Sequence, residues 1–82
     1  MKTDIKKLRD NLVFCLLKDA IRYKNQTSVT SIDSLSEISA RLQEYSMAIY
    51  KIEHARSVLK IKDVLVSLGY KEGCFYSFLQ TT

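Results

Sequence analysis

Apolar positions in the first third of the chain fall on two faces of one helix. At about 100° per residue, Ile5, Leu8, Leu12, Leu16 and Tyr23 share one side of a helix predicted over 4–24. Phe14, Leu17 and Ile21 form a second stripe on roughly the opposite side. The first half of this helix is amphipathic, and the second half is apolar nearly all round. A helix with two apolar sides is expected to lie between two partners. Those partners are other segments of this chain or a second subunit.

The pattern then turns polar. Residues 25–33, Asn-Gln-Thr-Ser-Val-Thr-Ser-Ile-Asp, carry short side chains that compete for backbone hydrogen bonds, so a loop is predicted. Ser34-Leu35-Ser36-Glu37 fits a capping box and predicts a helix start at Ser34. The following helix, predicted over 34–58, spaces Leu35, Ile38, Leu42, Tyr45, Ile49 and Ile52 by threes and fours, and the same stripe resumes at Leu59. That is close to three heptads of a coiled-coil seam. The seam either packs on the first helix or pairs with another chain. Arg56 stands where its next member is due. Beyond Leu59 the apolar set becomes Val58, Ile61, Val64, Leu65 and Leu68, about 180° away on a continuous helix. Either the helix breaks near residues 56–61 or it continues and offers opposite faces at its two ends. The break is the favoured reading, because a short bundle then buries both stripes. Gly69 then ends a helix predicted over 60–68. A last helix, 72–80, carries Phe75, Phe78 and Leu79.

Two glycines and no proline in 82 residues leave too few turn residues for a β-sandwich, a barrel or a parallel α/β domain. The chain therefore reads as one all-α domain over 1–82, a small bundle of three to four helices.

Residues 61–80 carry the pattern a helix-turn-helix needs. Val64, Leu68, Tyr70, Phe75 and Phe78 take the apolar positions and Gly69 takes the turn. Ile61-x-x-Val64, Leu68-Gly69-Tyr70 and Phe75-Tyr76-Ser77 resemble the last helix-turn-helix of AraC-type transcription regulators. Ile52-Glu53-His54-Ala55-Arg56-Ser57-Val58-Leu59 resembles the helix that leads into it. The likeness covers residues 52–77. It departs from the family where only Lys60 separates the leading helix from Ile61, and where Leu65 replaces a small residue. The resemblance implies DNA binding, with Lys71, Ser77 and Gln80 facing the DNA. A second likeness points elsewhere. Leu42-Gln43-Glu44-Tyr45-Ser46 with Ile61-Lys62-Asp63-Val64 resembles the second helix of type III secretion needle subunits, which are self-assembling helical hairpins.

Charge adjusts this picture. Thirteen Lys and Arg against nine Asp and Glu give a net charge of +4. Residues 1–24 hold seven basic and three acidic groups, so the whole excess lies there. Phosphate contacts supply much of the affinity for DNA. The basic residues Lys2, Lys6, Lys7 and Arg9 are therefore expected to supply them, because residues 61–82 are neutral overall.

Other chemistry is sparse. Cys15 and Cys74 read as small buried hydrophobes in a reducing compartment, not as a disulfide framework. The single histidine, His54, reads as a surface residue, and no catalytic, metal or cofactor site is expected. Tyr45 and Tyr70 read as core, while Tyr50 and Tyr76 are candidates for a partner surface. The apolar run Leu12–Leu17 is six residues long and closed by Lys18-Asp19, too short for a signal h-region. No run approaches the ~18 apolar residues of a membrane span, and a cytoplasmic location is expected.

The leading expectation is a small DNA-binding regulator. The alternative is a protein-binding or self-assembling helical module. Its candidate interface residues are Leu35, Ile38, Leu42, Tyr45, Ile49 and Ile52 on the seam, with Phe14, Leu17 and Ile21 on the first helix. A homo-oligomer is expected in either case.

Overall fold

The computed structural model describes residues 4–80. They form four helices: α1 (Ile5–Gln26), α2 (Ile32–Glu53), α3 (Val58–Leu68) and α4 (Glu72–Gln80). No strand occurs among the described residues. The all-α bundle read from the sequence is the fold observed.

α1 and α2 make an antiparallel hairpin. Asp4 caps α1, its Oδ1 accepting from the Lys7 amide at 3.1 Å. At the far end Thr27 closes the helix, with its amide and its hydroxyl both donating to the Tyr23 carbonyl. α2 starts earlier than the capping-box pattern predicts. Ser31, not Ser34, is the N-cap, and its Oγ accepts from the Ser34 amide at 3.1 Å. Ser34 becomes the third residue of the helix, bonded through its hydroxyl to Ser31 and Thr30. Two serines three apart offered two caps, and the earlier one adds almost a turn to the hairpin.

The helix break falls at His54–Ser57, overlapping the start of the window read from the apolar pattern. The helix predicted to run to residue 58 therefore ends at Glu53, and Leu59, read as a seam member, lies exposed on α3. No glycine or proline causes it. The seam of α2 ends at Ile52, and a continued helix would carry Ile61 and Leu65 out to water. After the break both are buried, at 0% and 1% exposure, and Ala55 is buried in the corner itself. Ser57 caps the new helix by accepting from the Lys60 amide at 3.2 Å. Arg9 Nη1 reaches across from α1 and donates to the Ala55 carbonyl at 2.7 Å, which the break leaves without a helical partner.

α3 runs back along α2 and stops at Gly69, which holds the left-handed φ of 112°. The Gly69 amide donates to Val66 and the Tyr70 amide to Leu65, both at 3.0 Å. This is the Schellman pattern, and it needs a residue that tolerates positive φ. Arg41 Nη1 donates to the Leu68 carbonyl at 2.9 Å and to Glu44 at 2.7 Å, with its guanidinium over the Tyr45 ring. α4 then turns back across α3. Lys62 pairs with Glu72 at 3.3 Å and lies over the Tyr76 ring.

The core is built from one face of each helix. Leu8, Leu12 and Leu16 of α1 meet Tyr45, Ala48 and Ile52 of α2, with Ile61, Val64, Leu65 and Leu68 of α3 and Phe75 of α4. No side-chain polar atom described is both buried and unpaired. α3 reaches only as far along the hairpin as Arg41, and Tyr70 only as far as Asp19. Beyond that level α1 and α2 continue as a two-helix arm, so the molecule measures 50 × 19 × 18 Å.

Tyr70, in the turn between α3 and α4, ties that turn to α1 by donating its hydroxyl to the Asp19 carboxylate. Burial, and then the Asp19 bond and charge, push this phenol well above its ordinary value. The folded chain therefore keeps a proton that the unfolded chain releases above about pH 10. The bond's contribution to stability is full below that pH and is lost as pH rises. The urea midpoint of the wild type is expected to fall more steeply above about pH 10 than that of Tyr70→Phe. Equal slopes would contradict this assignment.

Candidate interaction surfaces

Helical spacing decides which residues of α1 enter the core. Leu8, Leu12 and Leu16 are at most 1% exposed. Phe14, Leu17 and Ile21 point the other way and are 62%, 46% and 59% exposed. No other helix covers them, because α2, α3 and α4 all gather on the leucine side. The outer stripe lies among cations. Lys6, Lys7, Lys18 and Lys24 are exposed on α1, and Lys18 Nζ stands 5.4 Å from the Phe14 ring centre. That contact covers part of the ring and leaves the rest in water.

The seam of α2 has a different fate. Ile38, Tyr45 and Ile52 are buried, and Leu42 and Ile49 are half-buried. Of the six seam residues taken as interface candidates, only Leu35 stays exposed, at 51%. The heptad spacing is spent inside the chain, where α2 needs it to pack on α1. With Val29 and Ile32, Leu35 instead forms an apolar tip on the arm.

The described residues proposed to meet DNA sit on α1 (Lys6, Lys7 and Arg9), in the turn before α4 (Lys71) and on α4 (Ser77). Lys71 and Ser77 are exposed, as a DNA-facing role requires. Lys6 and Lys7 are exposed on α1, whereas Arg9 is half-buried and holds the Ala55 carbonyl. Ser77 also donates to the Gly73 carbonyl within α4. Lys2 and the side chain of Gln80 lie outside the described residues, as does the side chain of Phe78 from the helix-turn-helix core. The outer face of α4 shows Gly73, Cys74, Tyr76 and Ser77, none of them cationic.

Cys74 is therefore exposed and Cys15 half-buried, so the reading of two buried cysteines is corrected. Cys74 precedes Phe75 by one position, and the turn that buries Phe75 carries Cys74 outward. Tyr45 is buried and Tyr70 half-buried, while Tyr50 and Tyr76 stand out at 63% and 50% exposure, as their spacing predicts. His54 is exposed, its Nδ1 2.9 Å from the Tyr50 carbonyl and its ring against Tyr50.

Two concave features lie between α2 and α3. A groove of about 610 Å³ has Ala40, Met47, Ala48 and Val64 among its lining residues, with Lys51, Lys60 and Asp63 adding charge. A smaller hollow at the break, about 370 Å³, gathers Lys51, His54, Arg56 and Lys60 beside Ser57. Neither brings together groups spaced for nucleophilic or acid–base chemistry. Among the described residues no group of His, Cys, Asp and Glu is placed to hold a metal ion. No described helix is long and apolar enough to cross a membrane.

No family model matches the chain, no curated protein matches it, and no solved structure matches it. The two faces of α1 are thus judged on their own energetics. Leu12→Ala is expected to cost about 2–5 kcal/mol, the range for a buried leucine. Ile21→Ala is expected to stay within about 0.5 kcal/mol. Urea unfolding of the two variants, in solution dilute enough that the midpoint does not change with protein concentration, measures this. A comparable loss at Ile21 would show that the outer stripe is packed within the chain.

Proposed function

We propose that this protein works by binding another protein chain through the outer face of α1. The observation that carries the reading is the exposure of Phe14, Leu17 and Ile21 on a helix whose opposite face already fills the core. Intact leucines at Leu8, Leu12 and Leu16 are enough to hold α1 in the bundle. A second apolar stripe adds nothing to that packing and costs solubility, which is the usual mark of a surface kept for a partner. Lysines along its edges keep the free chain soluble. The elongated shape supports the same reading, because it presents α1 along its length instead of enclosing it.

A second reading is DNA binding through α3, the Gly69 turn and α4. It is favoured by the break at His54–Ser57 and by the left-handed Gly69, which leave two short helices joined by a tight turn. Electrostatics favours it less. Arg9 is bonded to the Ala55 carbonyl and Lys62 to Glu72, and α4 presents no cation outward. Exposed lysines such as Lys6, Lys7, Lys60 and Lys71 remain for phosphates.

Site-specific photocrosslinking in cells separates the two. A photoreactive phenylalanine at position 14 is expected to yield a protein adduct, and one at Tyr50 on α2 is expected to yield none. Adducts from both positions, or from neither, would contradict the α1 reading. Fluorescence anisotropy on a random-sequence duplex at ~50 and ~200 mM salt tests the other. Steeply salt-dependent binding, weakened by Lys71→Ala, would establish it in place of the α1 reading.

A further inference from the structure

The outer face of α1 extends beyond its three apolar residues. Lys7, Asp10, Phe14, Leu17, Ile21 and Lys24 follow one another at intervals of three and four, a heptad row along one side of the helix. All six are exposed. Within the row an acid, Asp10, stands seven residues before Leu17, and a base, Lys24, stands seven residues after it. Neither Asp10 nor Lys24 takes part in the ion pairs seen among the described residues, which are Arg41–Glu44 and Lys62–Glu72.

Resting on the proposed role of this face, we infer that its occupant is a second copy of this chain, laid antiparallel and centred on Leu17. Charge complementarity selects that arrangement. A two-fold axis at Leu17 brings Asp10 of each chain beside Lys24 of the other, twice over. Phe14 then lies at the level between Leu17 and Ile21 of the second copy, where a knob meets a hole. A parallel pair would set Asp10 on Asp10, Lys7 on Lys7 and Lys24 on Lys24, which repel. Of the two directions, only the antiparallel one pairs opposite charges within the row, at Asp10 and Lys24, while Lys7 and Lys18 stay at the rim without an opposite charge and keep the pairing weak. From Lys7 to Lys24 the row is about 26 Å long at 1.5 Å per residue. A helix pair of that length falls short of the ~800 Å² per partner of a standard interface. A reversible dimer is therefore expected, with dissociation in about the micromolar range.

Sedimentation equilibrium of the full chain over a wide concentration range tests this. The wild type is expected to pass from monomer to dimer. Asp10→Lys alone and Lys24→Asp alone should each weaken the dimer about tenfold, since each turns two attractions into two repulsions. The double variant Asp10→Lys/Lys24→Asp should restore it. Both positions are exposed, and circular dichroism is expected to show unchanged helix content in every variant. A wild type that stays monomeric at the highest soluble concentration would overturn the second copy as occupant. In that case an adduct at position 14 with a mass other than twice the chain would leave the broader role of the α1 face standing. A dimer indifferent to both single reversals and to Leu17→Lys would overturn the pairing and place the interface elsewhere.

Discussion

One helix has more apolar surface than this chain can cover. α1 carries leucines on one side and Phe14, Leu17 and Ile21 on the other, and three remaining helices can gather on only one of them. The leucine side wins because it repeats without interruption from Leu8 to Leu16 and meets the long seam of α2 over the same length. Every other helix is placed by that choice. α2 turns its seam inward, α3 must reverse to reach the same core, and α4 closes the open side with Phe75. The aromatic and branched residues of the outer stripe are left in water as a consequence of the topology.

The reversal between α2 and α3 is held by side chains from elsewhere in the chain. Arg9 of α1 satisfies the Ala55 carbonyl at the break, and Arg41 of α2 satisfies the Leu68 carbonyl at the end of α3. Charge-assisted bonds to helix ends are among the stronger polar contributions, at roughly 1.5–3 kcal/mol each. They let a chain with no proline and two glycines make two sharp turns. They also consume cations. An arginine that reads as a phosphate contact from its position in a basic cluster is a structural tie in the folded chain. Of the basic residues described within 1–24, Arg9 is spent in this way, while Lys6, Lys7, Lys18, Arg22 and Lys24 stay exposed.

Much of the architecture was legible because it rests on periodicity. The two stripes of α1, the change of stripe after Ile52 and the Gly69 stop each follow from which residues can be buried together, and each has its counterpart in the fold. The α2 cap was less legible, because Ser31 and Ser34 both offer an oxygen at helix-start spacing and only the loop path chooses between them. The interaction surface was half legible. Spacing identified Phe14, Leu17 and Ile21 as a stripe, and equally identified Ile38, Tyr45 and Ile52, but a heptad seam looks the same whether it packs within a chain or between chains. Only the burial of one and the exposure of the other separates them. The tie from Arg9 to Ala55 spans 46 residues and leaves no local pattern. The opposite charges within the outer row, Asp10 and Lys24, become meaningful only once that row is known to be exposed.

Hydroxyl-radical footprinting of the full chain in dilute and concentrated solution reports whether a second copy covers the outer face of α1. Phe14 and Leu17 on α1 and Met47 on α2 are all about half exposed or more in the single chain, so all three react when the protein is dilute. On concentration the oxidation of Phe14 and Leu17 should drop while that of Met47 holds steady. Unchanged oxidation at Phe14 and Leu17, or an equal drop at Met47, would contradict the account.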